Sequence, residues 1–377
     1  NEIIEALQSY GEEVIPYLFV FAIISIFSLT HFSKELKNYN LIFYIFSSVL
    51  LIFFAGLRKN GVGADDISYY NFFLERTPNL YDWIIGNYIY DIKEHFMEPG
   101  YVLINSVIKV FSNSYITLFS FMSLFSVGIA AYNYKRYSKY VFLTLLLFFV
   151  HTYLYRDMNQ IRSALAASIC LFLITQFHNR EHFKIWFTIL LASVFHVASL
   201  SVLVVYILSF IRVTRKRAFF AYILFCLIGT IGISQIVLSL VPGGDFLNSK
   251  IYTYTENKSY ANAVSFFDVT NVKNSFVLLF ILFFWERLEK KVPYFSTLVL
   301  FYLLAVGIRL AFWDLGVISA RLSTFFAIVE VILIPYFVTI FRQKILITVV
   351  IILYAFMTLY LNLFIKSGRY PYELSVF

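Results

Sequence analysis

Arg156 and Arg162 bracket the segment Arg-Asp-Met-Asn-Gln-Ile-Arg, which lies between two strongly apolar runs, 140–155 and 163–177. Two guanidiniums so placed can hold an anion. The second Arg opens Ser-Ala-Leu-Ala-Ala-Ser, a small-residue run that lets helices approach closely. Arg beside a helix N-terminus suits phosphate oxygens, which it binds bidentately. The plainer alternative is an interfacial anchor that snorkels.

Other polar residues sit where apolar sequence is expected. Arg58 leaves the second apolar run, and Gly-Val-Gly-Ala-Asp-Asp follows from Gly61. Asp65 and Asp66 are neighbours, so on a regular element they point apart and form no acid/base pair. One of them can act as a single general base near a cationic site, or as half of a surface ion pair. Glu98 precedes Pro-Gly-Tyr at the start of an apolar stretch. That is a favourable place on the helix dipole, and a costly one for an acid at membrane depth. His196, in Val-Phe-His-Val-Ala-Ser, is the His furthest from any charge. An intramembrane His marks a functional site or an interhelical hydrogen bond; His151, nearer the boundary, is assigned the second role. Arg309 lies in an apolar run, Arg321 opens Arg-Leu-Ser-Thr-Phe-Phe, and Asp314 between them can pair with either. Glu330 lies roughly 2.5 turns past Arg321, so those two form no local pair. Arg58, Arg162, Arg309 and Arg321 fall at the ends of separate spans away from the basic loops, where the positive-inside bias disfavours them. A bound lipid-linked phosphate or diphosphate would account for that placement.

The elements that must position these residues are membrane helices. The chain has 377 residues, 60 % hydrophobic and 14 % charged, with a mean hydropathy of +0.77. No soluble domain of this size is so apolar throughout, and the long continuous runs exclude a β-barrel's alternation. The expected fold is all-α and polytopic, with roughly 10–12 membrane segments in one transmembrane domain spanning 1–377. The net charge of +8 is spread over short loops, so it reports topology and not nucleic-acid binding. Cys170 and Cys226 lie in apolar runs and imply neither disulfide nor metal site. No removable signal peptide is expected.

Basic loops at 135–139, 178–184, 212–217, 287–291 and 342–344 read as cytoplasmic. The long polar segments 59–98 and 242–274, the 156–162 loop and the tail then face the other side. Two conflicts with the charge rule need resolving. The short run 99–111 is expected to be partial or re-entrant. The run 185–211 is expected to form two short legs bent near His196, since irregular backbone at membrane depth must line a cavity or be buried in protein.

Five motifs in order carry a family resemblance: Arg58 with Gly-Val-Gly-Ala-Asp-Asp and Tyr69-Tyr70; Glu98-Pro-Gly-Tyr; Asn159-Gln-Ile-Arg-Ser-Ala-Leu-Ala; Phe195-His-Val-Ala-Ser-Leu; and Arg321-Leu-Ser-Thr-Phe-Phe with Pro335. Together they resemble the EpsG/Wzy-type polysaccharide polymerases over nearly the whole chain. The resemblance implies a plan like that of GT-C glycosyltransferases and a bacterial inner-membrane protein with an extracytoplasmic site. It implies donor and acceptor oligosaccharide repeat units linked to undecaprenyl diphosphate, a growing glycan passed to each incoming unit, and a chain-length regulator as partner. Asp65 best matches the family's Asp, with Asp66 an extra acid; Arg162, His196 and Arg321 match their counterparts. Arg156 and Arg309 rest on the reading of the residues alone.

The implied chemistry joins an acceptor hydroxyl to an anomeric carbon as a diphosphate departs. Arg162, Arg321 and Arg58 are expected at the diphosphate, with Arg156 and Arg309 as further candidates, in an electrostatic role. The base is Asp65, Glu98 or His196. Tyr69 and Tyr70, with Tyr81, Trp83, Tyr252 and Tyr254, are candidates for stacking on sugar rings or for an interfacial aromatic belt. The acids are dispersed and no His-rich spacing occurs, so no metal or other cofactor is expected. A flippase for lipid-linked oligosaccharide also needs Arg in a cavity, but favours inverted repeats, which the sequence lacks. An O-antigen ligase-like transferase would share the chemistry and differ in acceptor.

Overall fold

The computed structural model describes residues 2–91, 97–231, 265–365 and 371–375. The tyrosines at 252, 254 and 260, and with them most of the second long polar segment, lie outside the described residues. The described chain is helical, and its one β-bridge pairs Arg58 with Leu374. Five helical stretches are long and apolar enough to cross a membrane: Leu36–Gly56, Tyr115–Tyr137, Ile161–His178, Ser319–Thr339 and Lys344–Phe364. Six shorter apolar helices accompany them among the described residues. The protein is an all-α polytopic membrane protein.

The residues group into two compact units. The first, 1–171 with 191–197 and 334–377, holds α1 (Glu2–Thr30), α2 (Asn40–Gly56), α3 (Asp66–Glu75), α4 (Pro99–Lys109), α5 (Tyr115–Tyr137), α6 (Val141–Phe148) and α7 (Ile161–Cys170). In α7 the run from Ser163 to Cys170 is buried, and α7 packs on α5, an approach that its Ser and Ala residues ease. A π-helical turn, Phe149–Tyr153, follows α6. The wider turn leaves carbonyls to be satisfied from outside, and Asn362 Nδ2 donates to the Val150 carbonyl at 2.6 Å.

The 59–98 segment is not all loop. It folds α3 because Tyr69, Phe72 and Phe73 recur at i, i+3 and i+4 and are buried together. The strip 371–375 closes on the end of α2. Lys59 N donates to the Glu373 carbonyl at 2.8 Å, and Ser375 N donates to the Leu57 carbonyl at 2.8 Å. Tyr372 stacks on Phe54 with ring centroids 4.0 Å apart.

The 11 residues of α4 span about 16 Å, short of the ~30 Å hydrocarbon layer, so α4 cannot cross by itself. The 185–211 run is two legs. The first is α8 (His182–Phe195); it is followed by a 3₁₀ turn, Val197–Val202, and α9 (Leu203–Leu208). The far ends of the legs meet. Arg180 donates to the Ser209 carbonyl at 2.6 Å, His182 Nδ1 lies 3.0 Å from Tyr206 Oη, and Trp186 packs on the Tyr206 ring. The chain therefore enters and leaves at the same basic end, with His196 at the break between the legs.

The second unit, 172–190 with 198–333, holds α10 (Arg215–Ile231), α11 (Val269–Phe283), α12 (Phe295–Ala311) and α13 (Gly316–Ala327). The apolar pattern marks a run from residue 275, yet α11 begins six residues earlier. Asp268 caps it by accepting from Thr270 N at 3.0 Å. Its polar first turns are satisfied by side chains from other elements. Asn271 accepts from Arg309 Nε at 2.7 Å, and Lys273 pairs with buried Glu330 at 2.6 Å.

Candidate functional site

The Gly61–Asp66 turn is built around a buried ion pair. Arg58 is 0 % exposed. Its Nε donates to Asp66 Oδ2 at 2.9 Å and its Nη2 to Oδ1 at 2.7 Å. A third nitrogen, Nη1, donates to the Ala55 carbonyl, and the guanidinium lies 4.1 Å from the centroid of the Phe119 ring. Asp66 Oδ2 also accepts from Gly63 N at 2.7 Å. Of the two adjacent acids, Asp66 is the one that holds Arg58. The Arg58–Asp66 pair is buried and not the surface ion pair that was one alternative, so breaking it costs far more than a surface bridge would. Asp65 is half-buried, and its backbone N–H donates to Asn159 Oδ1 at 2.8 Å. That bond ties the turn to the 156–162 loop. A Cβ at Gly63 would lie 2.1 Å from the Met158 carbonyl oxygen, so only glycine permits this approach.

Beyond the turn, three residues distant in sequence converge within the first unit: Glu98, Arg162 and His196. Pro99 occupies the first position of α4, and Glu98 is its extended N-cap residue, but the Glu98 side chain does not cap that helix. Its carboxylate turns instead to three donors. Arg162 Nη1 donates to Oε2, His196 Nδ1 lies 3.1 Å from Oε1, and Val197 N donates to Oε1 at 3.2 Å. The carboxylate is 7 % exposed, the Arg162 side chain 16 % and the His196 side chain 22 %. The Arg162 guanidinium sits 5.5 Å from the Tyr69 ring centroid and 5.8 Å from that of Tyr101, so α3 and α4 wall it with aromatic faces. Gly100 lets α4 reach the end of α8: a Cβ there would lie 2.5 Å from the Val194 side chain and 2.9 Å from its carbonyl oxygen.

Glu98 lies outside the candidate spans. Burial pushes its carboxyl upward, but the His196 hydrogen bond and the Arg162 charge outweigh this and hold it down to about 2. Ionised, Glu98 only accepts hydrogen bonds, so His196 Nδ1 must carry the proton it shares. In a neutral imidazole the basic nitrogen is then Nε2.

The other expected residues fall as follows. Arg156 is buried beside Asp157 in the first unit, and Asp157 accepts from Ser126. Tyr69 is buried against Arg162 and Tyr101. Tyr70 is half-buried and packs on Tyr115 instead. Trp83 Nε1 donates to Ser106 Oγ at 3.0 Å, while Tyr81 is exposed. In the second unit, Arg309 is bonded to Asn271 and Asp268, and Arg321 is exposed on α13. Three participants were not singled out from sequence: Asn159, Tyr101 and the Val197 backbone N–H. No local pattern in the sequence signalled the Val197 N–H, whose role is a backbone one. Among the described residues, no group of three or more His, Cys, Asp and Glu gathers to hold a metal.

The EpsG family profile matches residues 41–374. The chain belongs to the EpsG family. It is also 24 % identical over 318 residues to the amylovoran biosynthesis protein AmsC of Erwinia amylovora, covering 83 % of this chain and 82 % of that protein. No solved structure matches it. Family membership and this relative support a polysaccharide-polymerase-type role. In this EpsG-family protein the Glu98 cluster joins an oriented imidazole, a carboxylate that fixes its tautomer, and a guanidinium faced by tyrosines. That set can take a proton from a hydroxyl and stabilise negative charge on a departing group.

Proposed function

We propose that this protein is a membrane glycosyltransferase that polymerises oligosaccharide repeat units carried on undecaprenyl diphosphate, with its site on the extracytoplasmic face of the bacterial cytoplasmic membrane. The convergence of Glu98, Arg162 and His196 carries the reading, and the EpsG membership supports its polysaccharide-polymerase character. Basic loops at the opposite ends of the helices support the placement of the site.

In the proposed step, an acceptor sugar hydroxyl attacks the anomeric carbon of the donor glycan. The new C–O bond forms as the bond to the lipid diphosphate breaks, and the leaving group departs with the electron pair. His196 Nε2 takes the hydroxyl proton, Glu98 holds the imidazole in the required tautomer, and Arg162 stabilises charge on the diphosphate. Glu98 is the orienting group and not the base, because an acid held near 2 is a weak acceptor of protons at neutral pH. Arg58 is left out of the diphosphate set, since Asp66 and the Ala55 carbonyl occupy its guanidinium. Arg309 and Arg321 belong to the second unit and are given no role in this step; Tyr69 is the candidate sugar-facing ring of the first unit.

The test is reconstitution of the purified protein with lipid-diphosphate-linked repeat units in EDTA, with products separated by length. A ladder of longer glycans with release of lipid diphosphate is expected, and Arg162→Ala at normal protein levels should abolish it. Movement of intact substrate across the vesicle membrane with no ladder would overturn the polymerase in favour of a flippase.

A further inference from the structure

Two apolar grooves outside the Glu98 cluster repeat one composition that the proposed chemistry does not use. The first, of about 450 Å³, opens between α2 and α5. Leu41, Tyr44, Ile45 and Gly128 line it, with Lys135 and Arg136 where α2 begins and α5 finishes. The Lys135 ammonium lies 5.8 Å from the Tyr44 ring centroid, which keeps the charge over the groove. The second, of about 650 Å³, opens between α10 and α11. Phe219, Phe220, Leu282 and Phe283 line it, and Arg215 and Lys216 stand at its end, in the first turn of α10.

Each groove lies within one unit, and each sets two adjacent cations at the basic-loop end of an apolar channel. An alkyl chain asks only for the apolar wall. The paired cations add recognition of a phosphate, and basic pockets between membrane helices take anionic headgroups in this way. The first groove is not an extension of the Glu98 cluster. Its cations stand at the Asn40 end of α2, whereas Arg58 follows the Gly56 end, and the 17 residues between span about 25 Å.

We propose that each groove binds one anionic glycerophospholipid from the leaflet at the basic-loop end, with an acyl chain along the apolar wall and the phosphate on the paired cations. The inference stands apart from the polymerase reading, since it uses none of its residues. Native mass spectrometry of the full chain, taken from vesicles of phosphatidylglycerol or of phosphatidylcholine, tests it. Two phosphatidylglycerols should be retained in preference to phosphatidylcholine. Lys135→Gln with Arg136→Gln should weaken retention of one of them roughly 30-fold, the effect of about two interfacial cations. Arg215→Gln with Lys216→Gln should weaken the other. A Cβ at Gly128, which lines the first groove, meets nothing within 4 Å, so Gly128→Leu projects into open space there and should expel its lipid with both charges in place. Equal retention of the two lipids by the unaltered protein, or wild-type retention in the charge variants, would overturn the proposal.

Discussion

Replacing Glu98 by Gln keeps the shape of the side chain and removes its charge. The wild-type carboxyl is held at about 2 against an ordinary 4.5. At ~1.36 kcal/mol per pH unit, that depression is worth about 3 kcal/mol to the folded state. The sign follows from the direction. A carboxyl lowered on folding contributes in full above its unfolded value, and the contribution is lost as pH falls from about 4.5 towards 2. Glu98→Gln should therefore melt lower at pH 7. For 377 residues, with an unfolding entropy of ~2.1 cal/mol/K per residue, the deficit is about 4 °C. Between pH 5 and pH 2 the two proteins should converge, because the wild type loses what the variant never had. Thermal unfolding in detergent across that range, followed by intrinsic fluorescence, gives both readings. Equal melting at pH 7 together with parallel pH profiles would refute the claim that Arg162 and His196 hold this carboxylate ionised.

Two further substitutions separate chemistry from scaffold. His196→Gln retains a donor for Glu98 but no basic ring nitrogen, so glycan ladder formation should fall by about 10²- to 10⁴-fold with the melting temperature little changed. An unaffected ladder would remove His196 as the base. Asp66→Asn leaves the buried Arg58 guanidinium without its hydrogen-bonded carboxylate and should cost about 3–5 kcal/mol in unfolding free energy; a loss under ~1 kcal/mol would mean that the pair is hydrated, as exposed pairs are.

The membrane class was legible from apolar run lengths, and the bend at His196 from charge bookkeeping. Basic loops flank the 185–211 run on both sides, and two legs are what put both on one face. The members of the Glu98 cluster were legible singly, each as a polar residue in a costly place. Their pairing was not, because Glu98 lies 64 positions from Arg162 and 98 from His196. Local spacing rules do not reach that far. The burial of the Arg58–Asp66 pair was not legible for another reason: sequence shows that charges are near each other but not whether water reaches them. α3 was hidden by composition, since three buried aromatic residues in a polar segment make a weak stripe. The early start of α11 was hidden by its Asn and Lys residues, whose partners Arg309 and Glu330 come from later elements.

The strip at 371–375 bears on how the protein is made. Lys59 and Glu373 are 314 positions apart. At ~5–20 residues per second of synthesis, Glu373 appears roughly 15 to 60 s after its partner. Arg58 and Asp66, only eight positions apart, can meet long before that. The Leu57–Lys59 backbone must wait for its N–H and C=O partners while most of the chain is still being inserted. In a cell, the interval is one in which chaperones and membrane proteases meet that bare edge, and substitutions in 371–375 would lengthen it without touching the Glu98 cluster.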